Sequence, residues 1–209
     1  MKKTCLFALV LVLTLVLSSC APAAKATEAP AAPVKKEYKD MTLCYPQLGA
    51  ESDWRTANTA SIKETAEKLG IKKLVFSDAQ QKPENQISAM RSCIQQGVDV
   101  IALPPVVEDG WDAVLTEAKN AGIPVITIDR NVAGDTAQNT LAHVGADNVL
   151  GGEAQAALIL ERFPDGARIF NLQGTPGASP AIDRNAGLHN LLDPVADKYE
   201  IVFEQTANF

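Results

Sequence analysis

The chain has 209 residues, 46% apolar and 21% charged, the balance of an ordinary globular protein. Acids outnumber bases by 25 to 19, a net charge of −6, which argues against a nucleic-acid partner because such a partner selects a basic face. Its two histidines and four cysteines show no metal-ligand spacing, and no cofactor motif is present.

Residues 1–20 read as an export signal. Lys2 and Lys3 form the positive head, and Leu6 to Leu17 form an apolar core broken only by Thr14. That core is too short for a permanent membrane-spanning helix. Leu17-Ser18-Ser19-Cys20 fits the lipobox of bacterial lipoproteins, which implies a diacylglyceryl group on Cys20 and cleavage before it. Two or three acyl chains would hold the protein at a membrane surface, at roughly 0.8 kcal/mol per buried methylene. Cleavage removes two bases and no acid, leaving 17 against 25, or −8. Residues 21–40 follow as a tether, rich in Ala and Pro and too poor in apolar bulk to order itself. The protein is expected outside the cytoplasm, in the periplasm or on the outer face of the cell membrane.

Residues 41–131 predict a first α/β lobe. Three times a helical stretch ends in Gly plus a β-branched residue and runs straight into a strand, at Gly70-Ile71, Gly97-Val98 and Gly122-Ile123. Glycine just past a helix takes the left-handed conformation that closes it. Strands are expected at Met41 to Pro46, Lys72 to Phe76, Val98 to Leu103 and Pro124 to Ile128. The inner two are nearly continuous apolar runs, as for parallel strands covered on both faces. Ile87, Met90 and Ile94 mark the buried face of one helix, opened by Pro83, and Trp111, Val114, Leu115, Ala118 and Ala121 mark the next. Such alternation predicts a doubly wound parallel sheet with right-handed crossovers. Cys44 falls in a strand and Cys93 in a helix, each among apolar neighbours. Their spacing suggests no disulfide framework, so two buried free thiols are expected.

Residues 132–140 are polar and aperiodic and read as an interdomain crossing. Residues 141–209 then predict a partial second lobe: strand Leu141 to Val144, helix Asn148 to Arg162 capped by Asp147, strand Arg168 to Leu172, helix Ala181 to Leu192 and strand Glu200 to Gln205. No helix follows to cover the last strand, and so short a sheet stands poorly alone. His143 and His189 lie far apart without acidic partners in a ligand pattern, and both read as structural.

Ligands of open α/β sheets bind at the carboxyl ends of the strands. Glu51, Ser52, Asp53, Trp54 and Arg55 follow the first strand there, Asp129 and Arg130 the fourth, and Arg184 and Phe209 lie beyond strands of the second lobe. The set suits a sugar, whose ring can stack on Trp54 while carboxylates and guanidinium groups bond its hydroxyls. An Asp-Arg pair after a strand is also a common surface ion pair, and a tryptophan beside a helix cap is often a packing anchor.

From Leu43 to Phe209 the sequence resembles the type I periplasmic sugar-binding proteins of the ribose-binding class, and within it the galactofuranose binders of bacterial ABC importers. The resemblance rests on Gly49-Ala50-Glu51-Ser52-Asp53-Trp54-Arg55, Gln80-Gln81-Lys82-Pro83, Pro104-Pro105-Val106-Val107, Ile128-Asp129-Arg130, Ala146-Asp147-Asn148 and the run Leu172 to Arg184. It implies a two-lobed fold closing like a hinged clamp around a monosaccharide, galactofuranose or another aldose, delivered by a monomer to ABC permease subunits. It places Glu51 to Arg55 on the sugar with Trp54 stacked on the ring, Asp129 and Arg130 gripping hydroxyls, and Arg184 and Phe209 reaching in from the second lobe. Asp53 departs from the small residue expected in that loop. The resemblance further implies return strands and more of the second lobe beyond Phe209, so the chain reads as a fragment with an incomplete second lobe.

Other functions fit less well. Gly174-Thr175-Pro176-Gly177-Ala178-Ser179 lacks the lysine of a phosphate loop, and neither a dinucleotide fingerprint nor a nucleophile elbow occurs, so no enzyme is expected. A sugar-responsive transcription regulator would need a helix-turn-helix where the signal stands. A sensor feeding a chemoreceptor or histidine kinase, and a truncated product that binds nothing, remain compatible with the residues.

Overall fold

The computed structural model describes residues 36–134, 136–207 and 209. The segments read from sequence as an export signal, a lipidated Cys20 and a tether up to residue 35 lie outside them. Five strands form one parallel sheet in the order β2-β1-β3-β4-β5: β1 Thr42–Gln47, β2 Lys73–Asp78, β3 Val100–Leu103, β4 Val125–Ile128 and β5 Ala142–Val144. Three helices connect its first four strands: α1 Asp53–Lys68, α2 Pro83–Gln95 and α3 Asp112–Asn120. A second, two-stranded parallel sheet pairs β6 Ala167–Gln173 with β7 Tyr199–Thr206, served by α4 Asn148–Arg162 and α5 Ser179–Leu192. The α/β class and the doubly wound parallel arrangement are as the sequence predicts.

Local chemistry sets most boundaries. Gly70, Gly97 and Gly122 have φ of 69°, 63° and 71°. Behind each one the chain closes its helix with the same two bonds, the glycine N–H to the carbonyl three back and the next N–H to the carbonyl five back. For Gly70 these run to Glu67 and, from Ile71, to Ala66, both 2.9 Å. The strand begins within a few residues. At the other ends, Ser52 and Asp147 accept from the backbone N–H groups of Arg55 and Leu150, at 3.1 and 3.0 Å, and Pro83 opens α2.

Two boundaries differ from the sequence reading. Strand β5 pairs with β4, Ile128 opposite Val144, so residues 141–144 finish the first sheet instead of opening the second lobe. The crossing to the second sheet therefore comes after β5. Strand pairing across a long connection leaves no mark in local pattern, whereas the polar stretch before β5 does. The tether also ends earlier than residue 40. Tyr38–Asp40 forms a 3-10 turn, the Tyr38 carbonyl accepts from Lys72 N–H at 3.2 Å, and Lys36 pairs with Asp99.

The core of the first lobe packs Met90, Ile101, Leu103, Trp111, Val114 and Leu115 between sheet and helices, all at most 1% exposed. Cys44 and Cys93 are not free thiols in it. They form a disulfide with a Cα–Cα distance of 6.2 Å, joining β1 to α2. Cys44 points inward from β1, and Cys93 lies one turn beyond Met90 on the buried face of α2. Sheet-on-helix packing, not their separation of 49 residues, brings them together. In the second lobe α4 and α5 touch backbone to backbone. A Cβ on Gly152 would lie 2.1 Å from the Arg184 carbonyl oxygen, and one on Gly187 2.0 Å from that of Val149.

Alkylation of the chain prepared under oxidising conditions, before and after reduction in denaturant, should label Cys44 and Cys93 only after reduction. Cys93→Ala should lower stability by about 4 kcal/mol, from loop closure over the spanned segment. Free labelling of both thiols in the untreated chain would contradict the bridge.

Candidate functional site

The carboxyl ends of β1 and β4 carry a buried cluster of opposite charges. Arg55 is 2% exposed, in the first turn of α1, where the Ser52 cap fixes the helix start. Its Nε donates to Glu51 Oε1 at 3.0 Å, its Nη2 to Asp129 Oδ2 at 2.6 Å and its Nη1 to Asn58 Oδ1 at 3.4 Å. Arg130, also 2% exposed, donates from Nη2 to the same Glu51 oxygen at 3.3 Å and from Nη1 to the Val106 carbonyl at 2.8 Å. Burial and the neighbouring Arg55 charge pull Arg130 below the ordinary arginine pKa. Glu51 Oε2 is buried and has no hydrogen-bond partner among the described residues. Such an atom carries the full cost of its lost hydration unless a donor reaches it.

Asp129 holds a left-handed backbone, φ 61°, and its N–H donates to the Val144 carbonyl at 2.9 Å. Few residues other than glycine adopt that region, and aspartate is among those that do. With this backbone the side chain meets Arg55 and stays 28% exposed toward the cleft. Trp54 stands at the rim, 57% exposed, with the Arg55 guanidinium carbon 4.8 Å from its ring centroid. From the second lobe Phe209 places its ring 5.0 Å from the Arg130 guanidinium carbon. Phe209 also lies over Gly174, where any Cβ would fall 2.2 Å from the ring. Arg184, exposed on α5, shares with Phe209 a cavity of about 170 Å³ that Gln155, Asn171, Gln173 and Asn185 also line.

Among the residues singled out from sequence, Glu51, Trp54, Arg55, Asp129, Arg130 and Phe209 thus form one chain of contacts, and Arg184 joins it through the cavity. Ser52 is committed to capping α1. Asp53 sits exposed on the first turn of that helix. The sequence reading passed over Tyr45, Gln47, Asn58 and Thr59, which form a polar network beneath Arg55. A signal was present: Arg55, Asn58 and Thr59 recur at helical spacing on what proves to be the inward face of α1. Burial pushes the Tyr45 phenol up to about 12, against the opposing pull of the Arg55 charge.

Loop 174–179, which resembled a phosphate loop, ties the two sheets together. The Gly177 carbonyl accepts from Glu108 N–H and Ser179 Oγ accepts from Asn131 N–H, both at 2.8 Å. Beside it Asp129, Asn131, His143, Asp147, Asn148 and Asp183 border a second cleft of about 320 Å³. Burial, then the Asp147 charge, raises Asp183 above the usual carboxylate range. His143 lies 3.0 Å from Thr127 Oγ1. His189 bridges Asp193, at 2.8 Å, and Glu204 of β7, at 3.2 Å.

The sequence matches the family described as periplasmic binding protein domain over residues 47–208. It is 41% identical over 196 residues to the galactofuranose-binding protein YtfQ of Escherichia coli (strain K12), covering 93% of this chain and 59% of that protein. Two solved structures are similar in both sequence and fold. The binding component of an arabinose ABC transporter from Shewanella sp. ANA-3, bound to α- and β-L-arabinofuranose, is 42% identical with a TM-score of 0.74, over 80% of this chain and 55% of that one. A Mycobacterium smegmatis protein in complex with β-D-fucofuranose is 47% identical with a TM-score of 0.73, over 80% and 56%. The chain therefore spans little more than half the length of these relatives.

The hydrogen bond to Asp193, and next that to Glu204, raise the His189 pKa above 6.5 against the opposing effect of burial. Stability from a raised group is complete below its unfolded value and is lost as pH rises through the folded one. His189→Gln should therefore cost most near pH 5.5 and progressively less above pH ~6.5, as read from chemical denaturation at each pH. A cost that stays flat or grows across that range would show that the charged imidazole does not hold β7.

Proposed function

The chain belongs to the periplasmic binding protein family, and on that premise we propose that it captures a neutral monosaccharide outside the cytoplasm for an ABC sugar importer. The charge cluster carries this reading. Two acids and two guanidinium groups cancel one another at the carboxyl ends of β1 and β4, with aromatic faces on either side. A net-neutral array of strong donors and acceptors suits a ligand whose hydroxyls both give and accept hydrogen bonds and which has no charge of its own. Rings with apolar C–H faces fit against Trp54 and Phe209. Asp129 and Arg184 present accessible polar atoms to such hydroxyls. A role without catalysis agrees with relatives that are named as binding proteins.

Furanose is the ring form we favour, because the relatives at 41 to 47% identity are named for, or hold, furanose sugars. Export by residues 1–20 and acylation of Cys20 complete the proposal. The disulfide supports the same compartment, since such bonds persist where the surroundings are oxidising.

Calorimetric titration of the chain with L-arabinose, D-galactose and D-fucose should give saturable heat, carried by the minor furanose forms. Trp54→Ala should weaken binding about tenfold, the loss of one aromatic face. Trp111 is wholly buried, so a sugar-dependent change in tryptophan fluorescence should vanish with Trp54. No heat from any pentose or hexose would sink the sugar reading. Separately, Cys20→Ala should move the expressed chain from the detergent phase to the aqueous phase in a detergent partition. Unchanged partition would remove the lipid anchor from the proposal.

A further inference from the structure

Arg55 does not offer its guanidinium to the cleft. Its Nε, Nη1 and Nη2 all donate to protein acceptors, and the residue is 2% exposed. What it does is aim Asp129, whose carboxylate is the more accessible partner. The aim of Arg55 in turn depends on what lies behind it. Asn58 sits one turn along α1 and accepts three times on Oδ1: from Tyr45 Oη at 2.7 Å, Gln47 Nε2 at 3.2 Å and Arg55 Nη1 at 3.4 Å.

The amide of Asn58 is itself held from β1. Tyr45 and Gln47 are at most 1% exposed, on β1, which is paired on both sides by β2 and β3. The Gln47 amide also donates to Thr59 Oγ1 at 2.8 Å, and its Oε1 accepts from Leu48 N–H at 2.9 Å. Thr59 Oγ1 donates to the Arg55 carbonyl at 3.1 Å, which closes the network onto α1. A rigid strand thus sets the position of one helix face, and that face sets the direction of a buried cation. In a low-dielectric interior such linked bonds fix geometry more firmly than any of them would singly.

We propose that Asn58 is a positioning residue for the ligand site. It transmits the fixed geometry of Tyr45 and Gln47 to Arg55 and, through Arg55, to the Asp129 carboxylate. Its contribution is the orientation of a group that meets ligand, and Asn58 itself remains behind the charge cluster.

The test compares Asn58→Leu, which removes the acceptor while keeping the branching and the number of side-chain heavy atoms, with Asn58→Asp, which keeps it. In the ligand-free full chain, Arg55 Nε–H should exchange slowly with solvent by ¹⁵N NMR. Exchange should be at least about tenfold faster in Asn58→Leu and return toward the original rate in Asn58→Asp, in proportion to the lost charge-assisted bond. Affinity for L-arabinose and D-galactose should fall and recover in parallel, with thermal unfolding followed to confirm that each variant is folded. The affinity arm rests on the sugar reading; the exchange arm does not. A native chain that binds neither sugar overturns that reading and leaves exchange to decide. If Asn58→Leu does not fold, Tyr45→Phe removes one of the bonds that hold Asn58 and should also speed Arg55 exchange. Unchanged Arg55 exchange in a folded Asn58→Leu chain, or in Tyr45→Phe where that variant stands in, overturns the proposal.

Discussion

A guanidinium has no neutral form to adopt in a protein interior, so burying Arg55 obliges its surroundings to supply acceptors in a fixed plane. Glu51 comes from the loop before α1, Asp129 from the far end of β4 and Asn58 from the next turn of the helix. The loop after β1, the cap at Ser52 and the left-handed backbone of Asp129 together place acceptors around that one cation. Buried ion pairs add little net stability once desolvation is counted. What they provide is direction, because a misplaced partner would leave an unpaired charge at a cost of several kcal/mol. The geometry of the cleft is thus set by electrostatic necessity in its floor.

The second lobe meets that floor through small and aromatic groups. Gly174 admits the Phe209 ring, and Phe209 lies against Arg130. Gly177, with φ 77°, turns the loop so that its carbonyl meets Glu108. Between the lobes run a backbone pair, a backbone-to-hydroxyl bond and a ring on a guanidinium, whereas α4 and α5 within the second lobe are locked by direct helix contact.

What the sequence made legible was local. The three glycine-ended helices, the Asp147 cap and the entry of Pro83 depend on residues within one turn of each other, and they were read correctly. The membership of β5 and the Cys44–Cys93 bridge depend on packing between distant segments, and neither could be read from spacing. The candidate site lay between these cases. The residues named for it were picked out because they follow strands, but the burial of Arg55 was not legible, since arginine is mostly an exposed residue and its partner Asp129 lies 74 residues away. Asn58 was missed for a related reason: a polar residue on a helix reads as solvent-facing until the strand behind it is known.

The bridge between β1 and α2 has a consequence for how the molecule is made. Both cysteines lie in the amino-terminal half of the chain, ahead of β4, β5 and the second lobe in the order of synthesis. The bond can therefore close before β4, β5 or any part of the second lobe has emerged. From that moment β1 and α2 form a cross-linked platform on which later strands pair, and the long-range closures of a parallel sheet become short ones. Under the export proposed above, secretion would act as an assembly sequence, with the lobe that carries the charge cluster built before the second lobe.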